Sequence, residues 1–462
     1  MLINKLNLQL LQDIVGKSAL LTDSADLLNY SYDNSRISLL PDAVLLPSTH
    51  QQIVEITQLC NKHKIPITMR GRGSGTSGAA VPTANGIVIS TEKMCKIIRV
   101  EPENRLMVVE PGVTNREVQE EAAKHGFFWA PDPTSSAFCS VGGNISCGTA
   151  GPRAVKYGTV RENTLALRAV TGDGREINTG SETTKWAVGY DLTRLIVGSE
   201  GTLALVTEAT LKLLPKQPSS LMMRALYSSM QSAADAVAAI MAQPHTPSAL
   251  EFMDGKSLDL IRNRLGDNLP NSANAMLMIE VDGSTESIVE AAKAIRKAAK
   301  NSGLVELKTA ATGEEISQLW QARKILSPRL REISPKKINE DIVVPVSKIP
   351  QLITAIEGLS KKYKIQIANF GHAGNGNLHT NLLINPDDSA EHERAEQCLA
   401  ELFKTVLDLH GSISGEHGIG LVKREFVKLE IAEEEMRLMQ SIKKSFDPNG
   451  ILNPGKGAAL LN

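Results

Sequence analysis

The sequence predicts an α+β chain of two lobes, and three observations carry that expectation. At 462 residues the chain is longer than one ordinary core organises. Residues 41–215 alternate short β-branched runs with glycine-rich turns, whereas beyond 220 strand-like runs alternate with long helical stretches. Between the two patterns lies "PKQPSS" at 215–220, which fits neither and marks the boundary.

In the first lobe, strands are expected in "AVLLP", "IPITMRG", "GIVIS", "RLMVVEPG", "LALRAVTGDGREI" and "TLALVTEATLKLL". One helix spans 50–63, with Ile53, Ile56 and Cys60 on a single face, and a second spans 114–124. In the second lobe, "LMMRALY", "AMLMIEV", "INEDIVVPV" and "KIQIANF" read as strands, while 231–242, 286–300, 313–331, 350–363 and 389–410 read as helices. The tail "SFDPNGILNPGKG" turns repeatedly and needs a docking place to be ordered. The expected domains are therefore 1–218 with a core at 38–216, 219–425, and a segment 426–462 that packs back on the first.

Composition narrows the function classes. A formal net charge of −1 without long like-charge runs removes the electrostatic reason to expect nucleic acid. The five cysteines are scattered and never spaced CxxC, so neither a disulfide framework nor a thiolate zinc or iron–sulfur site is indicated. Reduced thiols and a cytoplasmic address are expected. Leu6, Leu10 and Ile14 keep helical spacing but are interrupted by Gln9, Gln12 and Asp13, so the N-terminus lacks a signal-peptide core. No apolar run approaches spanning length, and membrane association is expected at most as peripheral contact with the inner face.

Gly73, Gly75 and Gly78 form a literal GxGxxG after a strand, with Glu92 19 residues past Gly73. A dinucleotide fingerprint needs a helix next, but only seven residues separate Gly78 from Gly86, with Pro82 and Asn85 among them. An NAD-dependent reading loses its ground there. What survives is a loop whose bare amides surround an anion, with Arg70 and Arg72 adding charge, or else a plain surface turn. A second cluster, "PDPTSSAFCSVGGNISCGTAGPRAVKYG", and a third, "GYDLTRLIVGSEGTLALVTEATLKLLP", add further glycine-lined turns. Three such turns in one domain suit one long ligand.

Five of the nine histidines fall between His372 and His417. "FGHAGNGNLH" at 370–379 sets His372 and His379 around glycines, and "GSISGEHGIG" supplies Glu416 and His417. Two imidazoles and a carboxylate suit a divalent transition metal with positions open to substrate. By spacing alone, two histidines seven apart are more often ordinary loop or strand residues.

The motifs "RGRGSGTSGAAVP", "VEPGV" and the second and third glycine clusters resemble, in order and over nearly the whole chain, the FAD-binding flavoproteins of the vanillyl-alcohol oxidase/p-cresol methylhydroxylase group. Within it the chain is similar to glycolate oxidase catalytic subunits, FAD-linked D-lactate dehydrogenases and D-2-hydroxyglutarate dehydrogenases. The resemblance implies a p-cresol methylhydroxylase-type FAD-binding domain, a substrate domain with an antiparallel sheet and helices, and a tail returning to the FAD domain. Arg70, Gly71, Arg72, Gly73, Ser74, Gly75, Thr76, Ser77 and Gly78 would wrap the pyrophosphate. Ser135, Gly142, Gly143, Asn144, Gly148 and Gly151 would line flavin and adenine, with Pro111, Gly112, Tyr157, Glu200, Gly201, Val206 and Asn453 completing the set. Ser74 stands where relatives with covalent flavin carry histidine, so FAD is expected to be non-covalent.

By the same resemblance His372, His379 and Glu416 are metal ligands, for zinc first and manganese or iron as alternatives. Asn375 replaces an aspartate common in relatives, which would weaken the cation's hold through lost charge. His417 is the expected general base. Arg323 and Lys337, in "LWQARKILSPRLREISPKKINEDIVVP", are expected to hold a substrate carboxylate, with Asn381 a further contact; a solvated helix face is the competing reading of that segment. The implied reaction takes a D-2-hydroxy acid, D-lactate or glycolate, to the 2-keto acid by hydride transfer to flavin N5. D-2-hydroxyglutarate is the alternative substrate, and a flavin-free metallohydrolase is the alternative from another class. Electrons would leave to an electron-transfer flavoprotein, a quinone or an iron–sulfur subunit, and a homodimer is compatible with the resemblance.

Overall fold

The computed structural model describes residues 5–264, 269–310, 312–334 and 336–458. Two compact units emerge, one of Met1–Ala150, Gly158–Lys216 and Glu416–Asn462, the other of Gly151–Tyr157 and Gln217–Gly415.

The first unit holds two sheets. One orders Leu20–Leu21, Ala43–Leu45, Ile87–Ser90 and Ile67–Arg70, with the last three strands parallel. Parallel neighbours need a crossover, and the helix His50–His63 supplies the one between Ala43–Leu45 and Ile67–Arg70. Its start is fixed by Thr49, whose hydroxyl accepts the Gln52 amide, and its end by Lys64 at φ 54°. Ile53, Ile56 and Cys60 bury against Leu45, Ile67 and Ile89, as their spacing requires. Between Arg70 and Ile87 the described chain forms no helix, so the glycine-rich loop is not a Rossmann turn. The other sheet is antiparallel, ordered Ile97–Glu101, Leu106–Val109, Ala204–Pro215, Thr164–Thr171 and Glu176–Gly180, with Phe127–Trp129 paired to the end of Ala204–Pro215. The helix Asn115–Lys124 starts in a reciprocal Thr114/Glu117 capping box.

The second unit is built on one seven-stranded antiparallel sheet, in the order Leu304–Thr309, Ser219–Tyr227, Ala275–Gly283, Ala249–Asp254, Gln366–Gly371, Asn377–Ile384 and Lys336–Val343. Met222, Leu226, Met253, Met276 and Met278 from one sheet face meet Leu258, Leu319, Ala322, Leu326 and Leu330 from three helices. The single helix expected over 313–331 is two, Gly313–Lys324 and Leu326–Ile333, broken at Ile325. Pro328 is the reason: its ring would strike the carbonyl of residue 324 in a continuous helix, but it is tolerated in the first turn of a new one. Among the described residues no helix is long and apolar enough to cross a membrane.

Candidate active site

Antiparallel pairing places cross-strand partners on the same face of a sheet. In the second unit His379 pairs with Asp341 on one side and Phe370 on the other, and Asn381 pairs with Asn339 and Ala368. Phe370 in turn pairs with Met253. Glu251 lies two residues before Met253, and Lys337 four before Asp341, so strand alternation brings both to that face. One half of the face is thus apolar and roofed by helices, and the other half is polar.

The "FGHAGNGNLH" segment forms the strand Gln366–Gly371, a short turn at Ala373–Asn375, and the strand Asn377–Ile384. Gly376 makes that turn at φ +78°, where a side chain would also strike the Val344 carbonyl. The turn sets the His372 and His379 rings edge-to-face with centroids 5.3 Å apart. His372 Nδ1 lies 2.6 Å from Glu251 Oε1, and Arg323 Nε donates to Glu251 Oε2 at 2.6 Å. Glu251 is fully buried. Burial pushes its carboxyl up, but the charges of His372 and Arg323 and their hydrogen bonds outweigh this and hold it below the ordinary glutamate value. The Arg323 guanidinium is also seated 4.8 Å from the Phe370 ring centroid.

Asp341, also fully buried, accepts Asn377 Nδ2 at 2.6 Å and the Gly415 amide at 2.9 Å. Its Oδ1 is 3.9 Å from His379 Nδ1. That is too long for a hydrogen bond, and within the span of two donors each about 2.0–2.2 Å from one cation. Imidazole and carboxylate donors in a buried setting suit a divalent ion, so these residues fit the metal that the motif implies. The chain leaves the second unit at Gly415, one peptide bond before Glu416 and two before His417. Asn375 is exposed; the asparagine that touches the acid is Asn377. Asn381 is buried and donates through Nδ2 to the carbonyls of Ala368 and His379, at 3.2 and 3.1 Å, while its Oδ1 meets no donor among the described residues. Lys337 Nζ donates to the Ser327 hydroxyl at 2.8 Å. Sequence reasoning missed Glu251 and Asp341. The available signal was an acid inside an apolar strand run in "ALEFMD" and in "EDIVV", where a buried charge requires a partner.

In the first unit the three glycine-lined turns converge. A Cβ on Gly71 would lie 2.2 Å from Ser140 Oγ, and one on Gly142 2.6 Å from Pro111 Cβ, so first loop, "VEPGV" and second cluster approach through bare backbone. Glu200 is buried and accepts the Ile419 amide at 2.6 Å and the Gly420 amide at 2.9 Å. Burial pushes its carboxyl up, against those amides, which pull the other way. Asn453 Nδ2 donates to the carbonyls of Ala79 and Glu200 at 2.9 and 2.7 Å. Arg70 is buried, with Nη1 on the Tyr32 carbonyl at 2.7 Å, so the guanidinium braces the loop from behind; Arg72 is exposed. Val206 is a buried strand residue paired with Ala169. Gly151 and Tyr157 belong to the second unit, where Tyr157 donates to Asp282 at 2.7 Å.

The loop keeps capacity for a ligand. Thr76 Oγ1 and Ser77 Oγ are buried without a hydrogen-bond partner among the described residues, a cost that the oxygens of a bound phosphate or ribose would remove. The residues present therefore fit FAD. Gly112 tests the packing beneath them: its Cβ would lie 2.1 Å from the Thr91 carbonyl oxygen and 2.6 Å from that of Met94. Gly112→Ala is expected to destabilise the protein by about 1–3 kcal/mol, read from urea unfolding; an unchanged midpoint would show that the backbone yields freely.

Comparison with known proteins agrees with both halves. Residues 41–180 match an FAD binding domain, and residues 216–457 match the C-terminal domain of FAD linked oxidases. The chain is 39% identical over 434 residues to glycolate oxidase subunit GlcD of Bacillus subtilis, covering 94% of this chain and 92% of that one. It is 36% identical over 438 residues to a D-lactate dehydrogenase of Archaeoglobus fulgidus, covering 92% and 95%. Among solved structures, p-cresol methylhydroxylase with substrate bound superposes with a TM-score of 0.80 at 18% identity, covering 98% of this chain and 96% of that one. At that identity the likeness concerns the fold, while the matched domains and the two relatives carry the assignment: the chain belongs to the family of FAD-linked oxidases.

Proposed function

We propose that the chain oxidises a small D-2-hydroxy acid, D-lactate or glycolate, to the 2-keto acid, with non-covalent FAD as the first electron acceptor. The observation that carries this reading is the polar half-face of the second unit's sheet. A guanidinium held by Glu251 stands beside two imidazoles and a buried aspartate, the equipment for a carboxylate next to a hydroxyl. Arg323 takes the substrate carboxylate, with Lys337 as a second cation and Asn381 as a polar contact. His372, His379 and Glu416 hold a divalent cation, zinc in the first instance, and Asp341 adds its carboxylate to the donors. Such a cation supplies Lewis acidity toward the substrate hydroxyl, and FAD supplies a two-electron acceptor. His417 takes the hydroxyl proton. Electrons then pass to an external acceptor, because the scattered cysteines offer no cluster site.

Anaerobic mixing with D-lactate, glycolate and D-2-hydroxyglutarate tests the substrate. Bleaching of the flavin band by D-lactate or glycolate is expected, and preferential bleaching by D-2-hydroxyglutarate would reassign it. Protein with no flavin spectrum even after FAD reconstitution would sink the proposal. Acid precipitation is expected to release the flavin to the supernatant; flavin retained in the pellet would contradict the reading of Ser74.

A further inference from the structure

We propose that Glu251 is a positioning residue that couples the carboxylate anchor to the cation site, because one buried side chain grips Arg323 with one oxygen and His372 with the other. The inference rests on the 2-hydroxy-acid reading above. Both contacts are 2.6 Å long, and the three side chains are 6% exposed or less. Charge-assisted bonds of this length in a dry setting fix orientation.

Each grip has a chemical consequence. A carboxylate can only accept, so His372 donates through Nδ1–H and keeps its Nε2 lone pair for a cation. Arg323 spends its Nε–H on the same group, and Phe370 seats the guanidinium at 4.8 Å. The end-on Nη1/Nη2 edge is then the fork presented to a second carboxylate. Glu251 stands on the strand Ala249–Asp254, between the strands Ala275–Gly283 and Gln366–Gly371, so the clasp is built on rigid backbone.

Glu251→Gln keeps the shape and breaks the logic. Its amide oxygen can still accept from Arg323 Nε–H, but without the charge that fixes the guanidinium, and its NH2 then faces His372 Nδ1 and selects the tautomer with the proton on Nε2. His372 would then offer no lone pair to a cation. In the flavin-loaded protein, zinc affinity measured by competition with a chromophoric chelator is expected to fall about 10–100-fold. At saturating zinc, kcat should largely recover while KM for the hydroxy acid stays raised. Wild-type zinc affinity with wild-type KM would overturn the proposal, as would a variant that only melts earlier with both quantities unchanged. Glu251→Asp, too short to reach both partners, provides a second measurement if the glutamine variant does not accumulate: zinc affinity and KM both unchanged would again overturn it. A wild type that binds no zinc and is bleached by no hydroxy acid would take down the parent reading instead, whereas a fully active wild type matched by Glu251→Gln would remove only the clasp.

Discussion

His417→Ala is expected to lower kcat by about 10²–10⁴-fold, the span typical for loss of a positioned general base, with flavin content unchanged. The imidazole sits two residues ahead of a backbone stretch that is held firmly. Glu200 accepts the amides of Ile419 and Gly420, and a side chain at Gly418 would collide with the Glu200 carboxylate. Gly418 has φ +82° and Gly420 φ +50°, a pair of left-handed turns that glycine adopts without strain. His417 is therefore carried on a short loop with little freedom. Partial rescue by added imidazole would support proton abstraction as the lost function. A fall in zinc content in His417→Ala would instead assign the ring to the cation, and bleaching at the native rate would remove both roles.

What the sequence disclosed, and what it withheld, follows from how local each signal is. The helix 50–63 was legible from Ile53, Ile56 and Cys60 because amphipathic spacing and its cap at Thr49 lie within one segment. The exclusion of a Rossmann turn was legible for the same reason, from a residue count between two glycines. The break at Ile325 was written in Pro328, but a helical pattern on both sides masked it. Glu251 and Asp341 were not legible as site residues. Their partners are 121 and 38 positions away, at His372 and His379, and only the strand order brings them onto one face. "INEDIVVPV" read as a strand without showing which of its two buried acids, Glu340 or Asp341, faces the histidines, since a shift of one residue exchanges the faces. The tail was expected to dock, yet the residues that hold it are charged, and charged residues in sequence ordinarily signify surface.

That tail gives the second large effect. Lys443, on the helix Glu433–Phe446, and Asp447 are both buried and form an ion pair. Lys443 Nζ also donates to the carbonyls of Thr202 and Leu452, at 2.7 and 2.9 Å. Asp447 accepts the amides of Ile451 and Leu452 at 3.0 and 2.7 Å. Burial pulls the lysine's pKa down, and the aspartate opposes it. Asp447→Ala strips that compensation and leaves two amides without their acceptor. A cost of about 3–5 kcal/mol is expected, measured as a drop in unfolding free energy in urea. Lys443→Met with Asp447→Leu should recover the part due to the stranded charge, but not the part due to the amides of Ile451 and Leu452, which still lack their acceptor. The loss should also reach the cofactor: past the clasp, the Asn453 amide donates to the Ile67 carbonyl, and its side chain ties Ala79 to Glu200. Flavin affinity is therefore expected to fall in Asp447→Ala and to return in the double variant in proportion to the stability regained. Flavin affinity that stays low after stability has recovered would mean that the carboxylate acts on the loops through charge rather than through the fold.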